Sequence, residues 1–183
     1  MPVLTPGRQR PTSQLISPYS YESIGQQIFA VSNAGIASAT CTANLACYVP
    51  FSLVEKRTAL KMWVYNGAAA SGNIDVGIYR ADGTKLVTMG PTAQSGTSDL
   101  QVLDITDTDL PPGEQLYMAF AASAGTTTVF RMTGSAQTSQ IAACGVMEQS
   151  GLSSGTLPAT ATFAAFSTAN FLPIFGISFV STF

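Results

Sequence analysis

Asn73-Ile-Asp-Val-Gly-Ile-Tyr79, Arg80-Ala-Asp-Gly83 and Lys85-Leu-Val-Thr-Met89 form the stretch from which the fold is read. Ile74, Val76 and Ile78 recur at every second position, the period of a strand with one buried face. The Asp82-Gly83 pair supplies a turn that reverses the chain into a second apolar run, so a β-hairpin is predicted here. Just upstream, Thr58 to Tyr65 alternates in the same way. Leu60, Met62 and Val64 fall on one face, and Lys61, Trp63 and Tyr65 on the other. Further strands are predicted over Ala46–Leu53, Leu100–Ile105, Gln115–Ala122, Thr127–Met132 and Phe171–Val180, with one more near Ile28. Leu110-Pro-Pro-Gly113 reads as a rigid turn into the strand that follows it. No segment has a long helical period. Many short strands punctuated by turn signals predict an all-β protein, a jelly-roll-like antiparallel β-sandwich of about eight strands.

The 183 residues suit one domain with a sizeable core. Residues 1–22 contain Pro2, Pro6 and Pro11 and show no apolar period, which predicts an extended N-terminal arm ahead of a sandwich domain over residues 23–183. With no reason to order by itself, such an arm is expected to lie along a neighbouring molecule. The N-terminus lacks an apolar stretch of signal-peptide length, so assembly in a cytoplasm is expected. The apolar stretch Phe171–Phe183 is broken by Pro173 and Gly176 and is too short to span a bilayer, so no membrane partner is expected.

Charge is scarce and unevenly placed. Only 10% of residues are charged, against roughly 25% in typical soluble domains, and 46% are hydrophobic. The formal net charge is −2 with scattered basic residues, which argues against nucleic acid. No charged side chain occurs from Ser23 to Val54, and Glu148 is the single one from Met132 to Phe183. The block from Glu55 to Glu114 is therefore expected to carry the solvated surface. The flanks, including the Ser/Thr/Ala/Gly-rich stretch Ser150–Thr162, are expected to be covered by a second subunit. The competing reading makes them ordinary core strands and small-residue loops.

The chemistry-bearing residues point away from catalysis. The chain has no histidine, which removes the usual general base, so no enzyme and no cofactor are expected. Cys41, Cys47 and Cys144 lack the histidine partners of a mixed zinc site. They are expected to be free thiols, with a Cys41–Cys47 bridge as the alternative. Asp104, Asp107, Asp109 and Glu114 offer oxygen ligands, but their spacing fits no calcium loop; capping and turning of the backbone is the favoured role. Trp63, Tyr65 and Tyr79 form a candidate aromatic platform, with Gly77 leaving space beside the indole, for a sugar ring or a neighbouring subunit. Phe171, Phe175 and Phe179 are candidates for a subunit interface.

The segments Tyr48-Val-Pro-Phe-Ser-Leu53, Lys61-Met-Trp-Val-Tyr-Asn-Gly67, Asn73 to Thr84, and Asp104 to Gly113 followed by Leu116-Tyr-Met-Ala-Phe120 together resemble a β-sandwich module of bacteriophage virion proteins. That group includes head decoration proteins, head fibres and tail adhesins. The resemblance covers roughly residues 45–133. It implies a structural protein of the virion, a capsid decoration or cement protein that forms a homo-oligomer, with a trimer as first expectation, and that contacts the major capsid protein. Similar sandwiches bind carbohydrate, so a fibre or tail component contacting host glycan is the alternative implied.

Overall fold

The computed structural model describes residues 15–16, 36–132, 142–167 and 172–179. In chain order the strands are β1 (Leu15–Ile16), β2 (Ile36–Thr40), β3 (Ala46–Phe51), β4 (Arg57–Tyr65), β5 (Asn73–Arg80), β6 (Lys85–Thr88) and β7 (Thr92–Ala93). They continue with β8 (Leu100–Leu110), β9 (Leu116–Ala122), β10 (Thr128–Met132), β11 (Met147–Gln149), β12 (Ala164–Ala165) and β13 (Phe175–Ser178). All the strand pairings are antiparallel. The protein is an all-β sandwich.

One sheet runs β1-β13-β4-β8, and the larger runs β12-β11-β3-β9-β5-β6 with β7 also on β5. Consecutive strands cross from one sheet to the other: β3 lies in the larger, β4 in the smaller, β5 and β6 in the larger, β8 in the smaller, β9 in the larger. With β1 and β13 closing the smaller sheet, this is the connectivity of an eight-stranded jelly roll. A ribbon of β2 and β10 joins the end of the smaller sheet through bridges from Val129 to Asn66 and from Arg131 to Pro173. The expected strand near Ile28 lies outside the described residues. Of the expected arm, Leu15 and Ile16 are described, and they pair with Ser178 and Ile177 at the edge of the chain's own smaller sheet.

The alternation read from the sequence places the core. Ile74, Val76 and Ile78 of β5, Val49 and Phe51 of β3, and Met118 and Phe120 of β9 meet Met62 and Val64 of β4, Leu103 and Ile105 of β8, and Phe175 and Ile177 of β13. The hairpin turns at Gly83, whose φ of +86° suits a residue without Cβ. Its neighbour Asp82 accepts the Thr84 N–H at 2.8 Å. Gly113, with φ +75°, ties the proline turn to the segment that follows β3 by donating its N–H to the Leu53 carbonyl at 2.8 Å.

A third layer covers the outer face of the larger sheet. Leu152, Leu157 and Ala161 pack on Ala46, Tyr48, Tyr79, Ala119 and Ala121, a second apolar cluster outside the sandwich core. The segment from Ser150 to Phe163 is thus a strap. Its irregular backbone is held by its hosts: Leu152 N–H to the Asn44 carbonyl at 3.0 Å, and Ala161 N–H to the Gly83 carbonyl at 2.8 Å. Asn44 Oδ1 accepts the Gly155 N–H, also at 2.8 Å.

Candidate functional site

The structure separates the three aromatic residues expected to form a platform. Trp63 and Tyr65 belong to β4 in the smaller sheet, whereas Tyr79 belongs to β5 in the larger one. The chain crosses between sheets at residues 66–72, so alternation within each strand does not bring the rings to one surface. Tyr79 is fully buried beneath the strap, where its hydroxyl donates to the Pro158 carbonyl at 2.6 Å and its ring meets Tyr48 edge-on at 5.3 Å. Gly77 does not open space beside the indole: a Cβ there would lie 2.7 Å from the Val87 carbonyl oxygen and 3.2 Å from Leu157. Trp63 is buried on the outer face of the smaller sheet, opposite Gly176 and Val102, and among the described residues its indole N–H has no hydrogen-bond partner. Tyr65, half-buried, stacks at a tilt on Phe130 with centroids 4.8 Å apart.

The expected phenylalanine interface is likewise redrawn. Phe175 is fully buried between the sheets, 5.8 Å from the Phe120 ring, because its strand pairs with the central β4 and turns that face inward. Phe179 is half-buried and packs against the same core. Phe171 lies outside the described residues.

The acidic stretch does not make a turn. Asp104, Asp107 and Asp109 lie within β8, and Glu114 lies beyond the proline turn. Asp109 is bound by Lys56 at 2.5 Å and by the Thr58 hydroxyl at 2.7 Å; Glu114 is held by Arg80 at 2.5 Å. Lys56 and Thr58 hold the Asp109 carboxyl below the usual carboxylate range. Among the described residues no three His, Cys, Asp or Glu side chains gather into a metal-binding group.

The three cysteines are free thiols. Cys41 and Cys47 line a recess with Thr42, Leu45, Phe120, Arg131 and Pro173 that has room for about one water molecule. Burial pushes the Cys41 thiol up to about 12 against the pull of Arg131, and burial also raises the Cys47 thiol. Both are protonated at neutral pH and therefore weak nucleophiles.

The carboxylate that sequence reading did not single out is Asp75, fully buried under the strap. It accepts the Thr88 hydroxyl at 2.6 Å and the Leu157 N–H at 2.9 Å. Burial raises its pKa, with these bonds and Lys85 opposing. Lys85 donates to the Leu157 carbonyl at 3.1 Å, and Gln149 Oε1 accepts from both Tyr48 (3.0 Å) and the Thr162 N–H (2.9 Å). These groups clamp the strap and present nothing reactive to solvent. The polar residue within an alternating apolar run was the available signal.

What remains exposed is chemically uniform over much of the molecule. Outside residues 54–115, every exposed described residue is Ala, Ser, Thr or Gly. The exposed charges among the described residues lie instead between Glu55 and Glu114, three of them, Asp104, Asp107 and Asp109, on β8. No family model, no curated protein and no solved structure matches this chain.

Proposed function

We propose that this chain is a structural component of a bacteriophage particle, a capsid decoration or cement protein that oligomerises and braces the shell by contact with the major capsid protein. The observation that carries this reading is the uncharged coat of Ala, Ser, Thr and Gly that the described residues outside 54–115 present. Such side chains lose little conformational freedom when covered. They also bring no charge that must be stripped of water. A surface of this kind is suited to broad, close contact between rigid bodies rather than to selecting a small molecule. The sandwich closed by its strap supplies that rigid body. The resemblance of residues 45–133 to virion sandwich modules points the same way, as does the scattering of Trp63, Tyr65 and Tyr79, which weakens the sugar-platform alternative.

On this reading the protein works without a cofactor, assembles in the host cytoplasm and acts in the virion, where its partners are other copies of itself and the major capsid protein. The test is an electron-microscopy map of particles from the phage that encodes the chain. Jelly-roll density on the shell surface is the expected result. A shell fully accounted for without it, or density confined to the tail, overturns the decoration role.

A further inference from the structure

Cys41 and Cys47 stand at the two ends of one reversal of the chain. Cys41 follows β2 and donates its backbone N–H to the Thr127 carbonyl at 2.8 Å, whereas Cys47 lies within β3. Between them Asn44, with φ +58°, donates its N–H to the Ala122 carbonyl at 2.8 Å, and its side chain accepts the Gly155 N–H at 2.8 Å. The reversal is thereby fixed to β9, to the residue before β10 and to the strap, and it delivers both thiols to one recess. Cys47 is buried, Cys41 is half-buried and Thr42 beside it is exposed, so the recess leads inward from Cys41 to Cys47. The thiols are near enough that charge on Cys41 is felt at Cys47.

Paired thiolates are soft donors and select soft metals. A structural zinc site takes four ligands. Among the described residues no third Cys, Asp or Glu joins these two, and the chain has no histidine. Copper(I), a soft monovalent ion with a filled d shell, is satisfied by two thiolates. A bare ion also fits a recess with room for about one water, where an organic molecule does not. Leu45, Phe120 and Pro173 wall the recess and offer none of the nitrogen and oxygen donors that copper(II) prefers. Two thiolates and one copper(I) carry a net charge of −1, costly to bury alone. Arg131 lines the same recess, and its charge already acts on Cys41.

We propose that Cys41 and Cys47 form a two-coordinate site for copper(I), with Arg131 balancing the charge of the loaded site. Loading forms two copper–sulfur bonds, breaks two S–H bonds and releases two protons to solvent, with no change of oxidation state. The site is independent of the virion role proposed above.

The test is titration of the reduced full chain with copper(I) under oxygen-free conditions, in competition with a coloured copper(I) chelator. One ion per chain should be withheld from the chelator. Because two protons leave per ion, affinity should rise about a hundredfold for each pH unit between roughly pH 6 and 8. Cys41→Ser and Cys47→Ser, checked for fold by circular dichroism, should each lose the ion. Arg131→Gln should weaken binding about tenfold or more, as removal of an outer-shell partner does. Cys144→Ser should bind like the parent. No ion withheld by the unmodified chain, a rise of only about tenfold per pH unit, or binding that survives loss of Cys41 or Cys47 overturns the site. So does binding that is lost with Cys144, or a Cys41–Cys47 disulfide formed in place of the bound ion.

Discussion

The Asp75 carboxylate accepts the backbone N–H of Leu157 at 2.9 Å, joining the middle of β5 to a strap 82 positions further along the chain. This bond places an ionisable group at the floor of the strap. Burial lifts its pKa above the ordinary carboxylate value, so the folded state holds the proton more tightly than the unfolded state does. Its favourable contribution is complete below the unfolded pKa, near 3.9, and is lost as pH rises through the raised folded value.

Asp75→Asn should therefore melt at a higher temperature than the parent at pH 7, and the gap should close as pH falls toward 4. The amide oxygen still accepts from Leu157, and its nitrogen donates to the Thr88 hydroxyl. Exposed Asp82 and Asp109, whose pKa values are lowered, lose their contribution in acid in both proteins and cancel in the comparison. Thermal melts of the pair across this range make the test; a variant less stable at pH 7 would refute the sign.

Gly155 has φ +66°, and a Cβ there would lie 2.4 Å from the Ser123 backbone nitrogen. Backbone cannot give way as a flexible side chain can, so Gly155→Ala should lift the strap from β9 at a cost of at least about 1 kcal/mol. The expected readout is faster proteolysis between residues 150 and 163 while the sandwich core remains intact. An unchanged cleavage pattern would show that the strap tolerates the displacement.

Phe175 joins the two sheets through Phe120, so Phe175→Ala should cost about 3–5 kcal/mol. The loss should appear as a lower denaturant midpoint and not as dissociation of a folded monomer. Dissociation with an unchanged midpoint would restore the subunit-interface reading of this residue.

The thiols should separate by protection. Cys47 is buried and Cys41 is held protonated by burial, whereas Cys144 is half-buried. Alkylation of the native protein at pH 8, followed by mass spectrometry, should modify Cys144 first and Cys47 last; denatured without reductant, all three should react. A native protein that reacts first at Cys47 would contradict the sealed site.

Legibility in the sequence followed burial. Where a strand has one dry face, as at Ile74, Val76 and Ile78 or at Met62 and Val64, hydrophobic alternation revealed it. The hairpin at Asp82-Gly83 was equally clear because turn chemistry is local. Leu100 to Leu110 was read only to Ile105, since its second half is an exposed, acidic and bulged edge whose residues look like a turn. The three-residue β11 and two-residue β12 carry too few side chains to show a period at all.

The sequence by itself determined that this chain is an antiparallel β-sandwich, because a period of two assigns one face of each strand to the core whatever the partner. It also determined that charge would concentrate in the central block. Tertiary structure alone decided what the second face of each strand meets. Alternation marks Trp63 and Tyr79 as side chains away from the core, but not that β4 and β5 join different sheets. Nor does it show that a strap, tied by Pro158 to Tyr79 across 79 positions, turns an outward ring into a buried one. Those outcomes depend on contacts between segments far apart in the chain, and only the folded topology brings such segments together.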